Sequence, residues 1–131
     1  MPEIPQSFYD ITQGLVYYSE SDSPYTMDLL ESKSIKEVPF EIAVTFSASE
    51  GMVKRVDADA FFQHVIAAAD PNDAVLAANA KKTDTLYRFL KENLSDLVVF
   101  RIESGVRIPI YIVGALQNGA LIAIKTIAVE T

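Results

Sequence analysis

Apolar residues recur along this chain in two rhythms, a helical one in the middle and short β-branched runs toward both ends. Between residues 61 and 69, Phe61, Phe62, Val65, Ile66 and Ala69 fall at the i, i+3, i+4 spacing of one buried stripe. Asp57 stands where it can cap the start of that helix. Asp70-Pro71-Asn72-Asp73 reads as a loop, and Asp73 can cap a second, alanine-rich segment in which Leu86, Phe89, Leu90 and Leu94 continue a helical stripe. The spacing leaves open whether Ala74 to Leu94 is one helix or two. Ser7 to Gln13 predicts a short helix with Phe8 and Ile11 on one face and Gly14 stopping it.

The remaining segments read as strands and turns. Leu15-Val16-Tyr17-Tyr18 is an apolar run that breaks into Ser19-Glu20-Ser21-Asp22-Ser23-Pro24, a turn-forming stretch expected at the surface. Tyr25 to Leu30 then reads as a strand, and Glu31 to Val38 as a polar connection. Phe40 to Phe46 is β-branched and aromatic with partial alternation, Ser47 to Gly51 supplies a turn, and Met52 to Val56 returns, so a hairpin is expected there. Leu97 to Glu103, Val106 to Val113 and Ala120 to Val129 are rich in Val and Ile and closely connected, which predicts an antiparallel meander. Pro109 has no N–H for a ladder, which favours an edge position or a bulge. Strand-rich ends around a helical middle predict one α+β domain over residues 1–131, with a largely antiparallel sheet covered by helices.

Composition narrows what such a domain does. Half of the 131 residues are hydrophobic, enough for one sizeable core, and neither an internal repeat nor a linker interrupts them. Eighteen acidic against 11 basic side chains give a net charge of -7, which repels nucleic-acid phosphate and suits a basic surface on a protein partner. The absence of cysteine excludes disulfides, thiolate metal sites and a cysteine nucleophile, and fits a reducing cytoplasm. Met1 to Ser7 has neither a positive leader nor an apolar core, and no apolar run approaches the ~20 residues of a membrane span. A cytoplasmic protein without membrane association is therefore expected.

Motifs for chemistry are sparse. His64, the sole histidine, falls on the polar or flanking side of its helix, as an exposed helix residue does, and no Ser-His-Asp or Cys-His arrangement can be built on it. Asp57 and Asp59 form a D-x-D pair without the third oxygen ligand, glycine and closing glutamate of a calcium loop, so helix capping accounts for both. No glycine-rich phosphate cradle is present. Tyr17, Tyr18 and Tyr25 lie among acidic rather than basic residues, unlike a base-stacking platform. Paired carboxylates from the 18 acidic residues leave a small acid-base enzyme as one alternative, without naming a pair. No cofactor and no metal of its own is expected.

Two distant stretches together resemble the nuclease A inhibitor family. One is Gly14-Leu15-Val16-Tyr17-Tyr18-Ser19-Glu20-Ser21-Asp22-Ser23-Pro24-Tyr25; the other runs from Val106 to Gly114 and through a loop to Lys125-Thr126-Ile127-Ala128-Val129-Glu130-Thr131. Val56 to Phe62 is similar to the family's strand-to-helix junction, and Phe89 to Leu94 to the end of its longer helix. The resemblance implies an α/β/α sandwich and a cytosolic inhibitor of a sugar-nonspecific, magnesium-dependent endonuclease of DNA and RNA. It also implies that Glu20, in the Ser-Glu-Ser turn, and Thr131, through its hydroxyl and α-carboxylate, approach the nuclease's catalytic centre and its magnesium. Ser19, Ser21 and Asp22 would form the polar rim. A carboxylate can ligate magnesium or accept a bidentate arginine contact, and so imitates a phosphate. The family carries a tryptophan in the loop between its two main helices, whereas this chain has none and shows Asp70-Pro71-Asn72-Asp73 there. A regulatory binding module on the same fold, with a non-nuclease partner, is the alternative.

Overall fold

The computed structural model describes residues 3–131. In chain order the elements are α1 (Gln6–Thr12), β1 (Val16–Tyr18), β2 (Asp22–Pro24), β3 (Thr26–Leu29), α2 (Val38–Thr45), β4 (Val53–Val56), α3 (Ala58–Ala67), α4 (Ala74–Asn93), β5 (Ser95–Ile102), β6 (Arg107–Ala115) and β7 (Leu121–Val129). Five strands form one antiparallel sheet in the order β3-β7-β6-β5-β4, and β1 and β2 form a separate hairpin. The meander expected at the end of the chain is β5-β6-β7. Its second turn closes at Asn118-Gly119, where Gly119 takes a φ of 89° and its N–H donates to Leu116 O at 2.8 Å. Pro109 lies opposite Ile127 of β7, one residue past Ile110, where the ladder with β5 ends. Pro109 is thus on the central strand of the sheet and not at an edge or a bulge, at the point where only the ladder with β7 continues.

Helix starts follow the acidic caps. Asp57 accepts from the Ala60 N–H at 2.9 Å, and Asp73 accepts from Val75 and Leu76 N–H at 3.0 and 3.1 Å. Ala74 to Asn93 is one unbroken 20-residue helix, which resolves the one-or-two question. It ends against Gly114. A Cβ there would sit 2.9 Å from Leu94 side-chain atoms, so only glycine lets β6 pass under the helix end.

The expected strand at Phe40 to Phe46 is not formed; that stretch is helical from Val38 to Thr45, and β4 pairs with β5 instead of with it. Phe40, Ile42, Val44 and Phe46 do alternate, but other forces decide the backbone. Pro39 sits in the first turn of α2, where its fixed φ suits a helix and its missing N–H costs nothing. Val38 and Ile42, one turn apart, are buried on the sheet. The Glu41 carboxylate accepts from Glu31 N–H, Ser32 N–H and Ser32 Oγ–H at 3.0, 2.7 and 2.5 Å. Burial opposes its ionisation, but those donors outweigh it and hold its pKa below the ordinary value. The unused half of the alternating set, Phe40 and Val44, is left 63% and 62% exposed.

Helices thus cover both faces of the sheet, unequally. α1, α3 and α4 bury Phe8, Phe61, Phe62, Leu86 and Leu90 against Val99, Ile108, Ile110, Ile112, Ile122 and Ile124. On the opposite face α2 brings only Val38 and Ile42 to Val98, Phe100, Ile102, Tyr111, Val113, Leu121 and Ala123. Period-2 alternation along β6 and β7 feeds both clusters. Among the described residues no helix is long and apolar enough to cross a membrane.

Candidate functional site

The Ser-Glu-Ser turn and the last residues of the chain meet at one corner of the sheet. Tyr18 and Asp22 pair across the β1-β2 hairpin, leaving Ser19, Glu20 and Ser21 as its tip. The tip closes on itself: Ser19 N–H donates to Ser21 O at 2.8 Å, and Ser21 N–H to Ser19 Oγ at 3.4 Å. It then bonds to the end of β7. Val129 N–H donates to Ser19 Oγ at 3.0 Å and Glu20 N–H to Val129 O at 3.2 Å, so the turn continues the edge that β3 leaves.

Glu20 and Thr131 are in direct contact. One Glu20 carboxylate oxygen accepts from the Thr131 main-chain N–H, and the other accepts from Thr131 Oγ–H at 2.5 Å. The Thr131 hydroxyl and main-chain donors hold the Glu20 carboxyl below the usual glutamate range. Both residues are exposed, as are Ser19, Ser21 and Asp22, so all five sequence candidates share one surface.

What holds this corner was not legible from spacing. The Asn79 side chain, on α4, accepts from Val16 N–H at 3.1 Å and donates to Val16 O at 2.7 Å, acting as a strand neighbour for β1. Tyr17 is buried and its ring stacks parallel to Phe61, 6.0 Å away. Burial is the main cause that pushes its hydroxyl pKa up. Thr126 Oγ–H donates to Pro24 O at 3.1 Å, pinning β2 to β7. Behind Thr131, the Arg101 guanidinium bonds Glu130 at 2.7 Å and lies 3.6 Å from Glu103, while Glu130 N–H donates to Val106 O at 3.0 Å. Arg101 and Asn79 stand on separate elements far from the turn in sequence, and no motif marks them.

The groups set aside in the sequence are elsewhere. His64 is exposed on α3. Asp57 is a cap, and Asp59 accepts from the Tyr87 hydroxyl at 2.9 Å; burial first, then that bond and charge, push the Tyr87 pKa up to about 12. Among the described residues no three His, Cys, Asp or Glu side chains converge as a metal site. The loop Asp70-Pro71-Asn72-Asp73 is exposed, with Asn72 N–H bonded to Asp70 at 2.9 Å.

The sequence model of a family described as nuclease A inhibitor-like protein matches residues 2–131. The chain belongs to the nuclease A inhibitor-like family. No match is found when it is compared with curated proteins individually. Family membership, the α+β sandwich and the Glu20–Thr131 corner now stand together, and they come from separate observations: the whole-chain pattern, the sheet order, and the hydrogen bonds.

Proposed function

We propose that this chain inhibits a magnesium-dependent, sugar-nonspecific endonuclease of DNA and RNA by placing the Glu20 and Thr131 anions in its active site. The observation that carries the proposal is the contact between these residues, which are 111 positions apart in sequence and share one exposed corner. Ser19, Ser21 and Asp22 form the polar rim around them.

The chemistry follows from the carboxylate. An ionised carboxylate offers about four lone-pair sites. Thr131 occupies two of them, which leaves the outward pair to accept a bidentate arginine or to ligate magnesium through water. The carboxylate and hydroxyl of Thr131 extend the same anionic surface. Because the turn is already bonded to β7 and backed by Asn79 and Arg101, little ordering remains to oppose binding. The inhibitor needs no cofactor; any magnesium belongs to the nuclease, and the site of action is the cytoplasm. It makes no direct contact with nucleic acid or membrane.

The test is titration of the protein into a magnesium-dependent nonspecific endonuclease acting on DNA and on RNA. Stoichiometric loss of both activities is expected, and Glu20→Ala or residues appended after Thr131 should weaken it by roughly tenfold or more. Full nuclease activity with excess protein overturns the proposal.

A further inference from the structure

The sheet face that carries α2 is left uncovered toward the corner, and what it exposes there is largely apolar, with Arg107 and Lys125 at its margin. The α2 cluster reaches Tyr111 and stops. Beyond it the cross-strand pairs Tyr111/Lys125, Pro109/Ile127 and Arg107/Val129 continue on the same face. Pro109, Ile127 and Val129 are only half-buried there. A solvated sheet face ordinarily presents polar residues at such positions.

Pro109 and Ile127 border a cavity of about 350 Å³, lined also by Tyr111 and by Phe46 and Pro24 beside them. Phe46, 41% exposed, meets the Tyr111 ring edge-on at 6.0 Å. Arg107 and Lys125 supply the charge. Lys125 is paired with Asp28, whereas Arg107 is exposed and has no ion-pair partner among the described residues. Both side-chain charges lining the cavity are thus positive in a chain of net charge -7.

We propose that this cavity is a second contact surface for the inhibited nuclease, receiving an apolar side chain flanked by a carboxylate that pairs with Arg107. The proposal rests on the inhibitory reading of the corner. Two arguments select this occupant. The cavity is continuous with the corner, because Pro24 belongs to the hairpin that carries Glu20, and Val129, opposite Arg107, bonds the Glu20 N–H. Thr131 lies four residue steps beyond Ile127, a span of at most about 13 Å at ~3.3 Å each. An ordinary interface covers about 800 Å² per partner, roughly 30 Å across, so a protein gripping the corner also meets the cavity. The second argument is composition: the exposed Phe46 ring, beside an arginine with no ion-pair partner among the described residues, matches the anchors that dominate protein interfaces. The lone positive rim selects an acidic neighbour for the inserted side chain.

The experiment is calorimetric titration of the endonuclease with the wild type, Glu20→Ala, Ile127→Lys and Arg107→Glu, each first checked for native circular dichroism, and Ile127→Lys and Arg107→Glu also for an unchanged Thr131 amide resonance. Ile127→Lys and Arg107→Glu are each expected to weaken binding by roughly tenfold. Ile127→Lys should also make the heat-capacity change of binding less negative, whereas Glu20→Ala should leave that change near the wild-type value. Arg107→Glu, at an exposed position, keeps the test available if Ile127→Lys does not fold. Binding of both variants within twofold of wild type, alongside loss in Glu20→Ala, overturns the second contact and leaves the corner reading intact. Absence of binding by the wild type overturns both.

Discussion

The two faces of the sheet are built from the same strands yet differ in how they are finished. One is sealed by three helices, with Phe62, Leu86 and Leu90 wholly excluded from solvent between α3, α4 and the strands. The other receives one eight-residue helix that is apolar on its outer side as well. The sealed face holds the fold and also anchors the hairpin through Asn79 and Tyr17. The thinly covered face leaves aromatic and aliphatic groups available beside the corner. The heavier packing thus lies on one side of the sheet, and the proposed second contact lies on the other.

Substitutions should separate the two faces. Phe62→Ala removes a ring stacked on Tyr87 at 4.4 Å and set edge-on to Phe61 at 5.2 Å, and should cost about 3 to 5 kcal/mol in denaturant unfolding. Asn79→Ala strips β1 of both its outer bonds and should cost roughly 1 to 3 kcal/mol. Its sharper signature is local, namely faster hydrogen exchange at Val16 and weaker nuclease inhibition than the stability loss alone would give. Val44→Ser, on the outer side of α2, should change stability by no more than about 0.5 kcal/mol. A large loss there would mean that α2 is covered in the free protein and that the contrast between faces is false.

The smallest effect is confined to the corner. Donors from Thr131 lower the Glu20 pKa, so the clasp is complete above the ordinary glutamate value and is lost as pH falls through the lowered one. The Thr131 amide resonance should titrate with a midpoint below 4.5, and Glu20→Gln should abolish that titration while the rest of the spectrum holds. A midpoint at or above 4.5 would show that the carboxylate is not held by Thr131 in solution.

Much of the architecture was legible because local and tertiary preferences agree. Asp57 and Asp73 cap the helices that the stripes predict, and Asn118-Gly119 closes the turn expected of it. Residues 40–46 were misread because their alternation is genuine while the deciding contacts, from Glu41 to Glu31 and Ser32 and from Val38 and Ile42 to the sheet, lie outside any local window. The corner was legible only through family resemblance. A bond between residues 20 and 131 leaves no periodic trace, and neither do Arg101 and Asn79, whose roles depend on which strands become neighbours.

The docking of the hairpin on β7 has a kinetic consequence. Among the described residues β3 finds its one sheet neighbour about a hundred residues downstream, in β7, and the turn that carries Glu20 is completed by residues 129–131. Closing so long a loop is slow relative to forming helices or the β5-β6 pair, so the corner should be among the last parts to assemble. On a growing chain α1 and β1 can already meet α3 and α4, whereas β3 and the Glu20 turn lack their partner until β7 emerges. The Glu20–Thr131 corner is thus completed only when the end of β7 is in place.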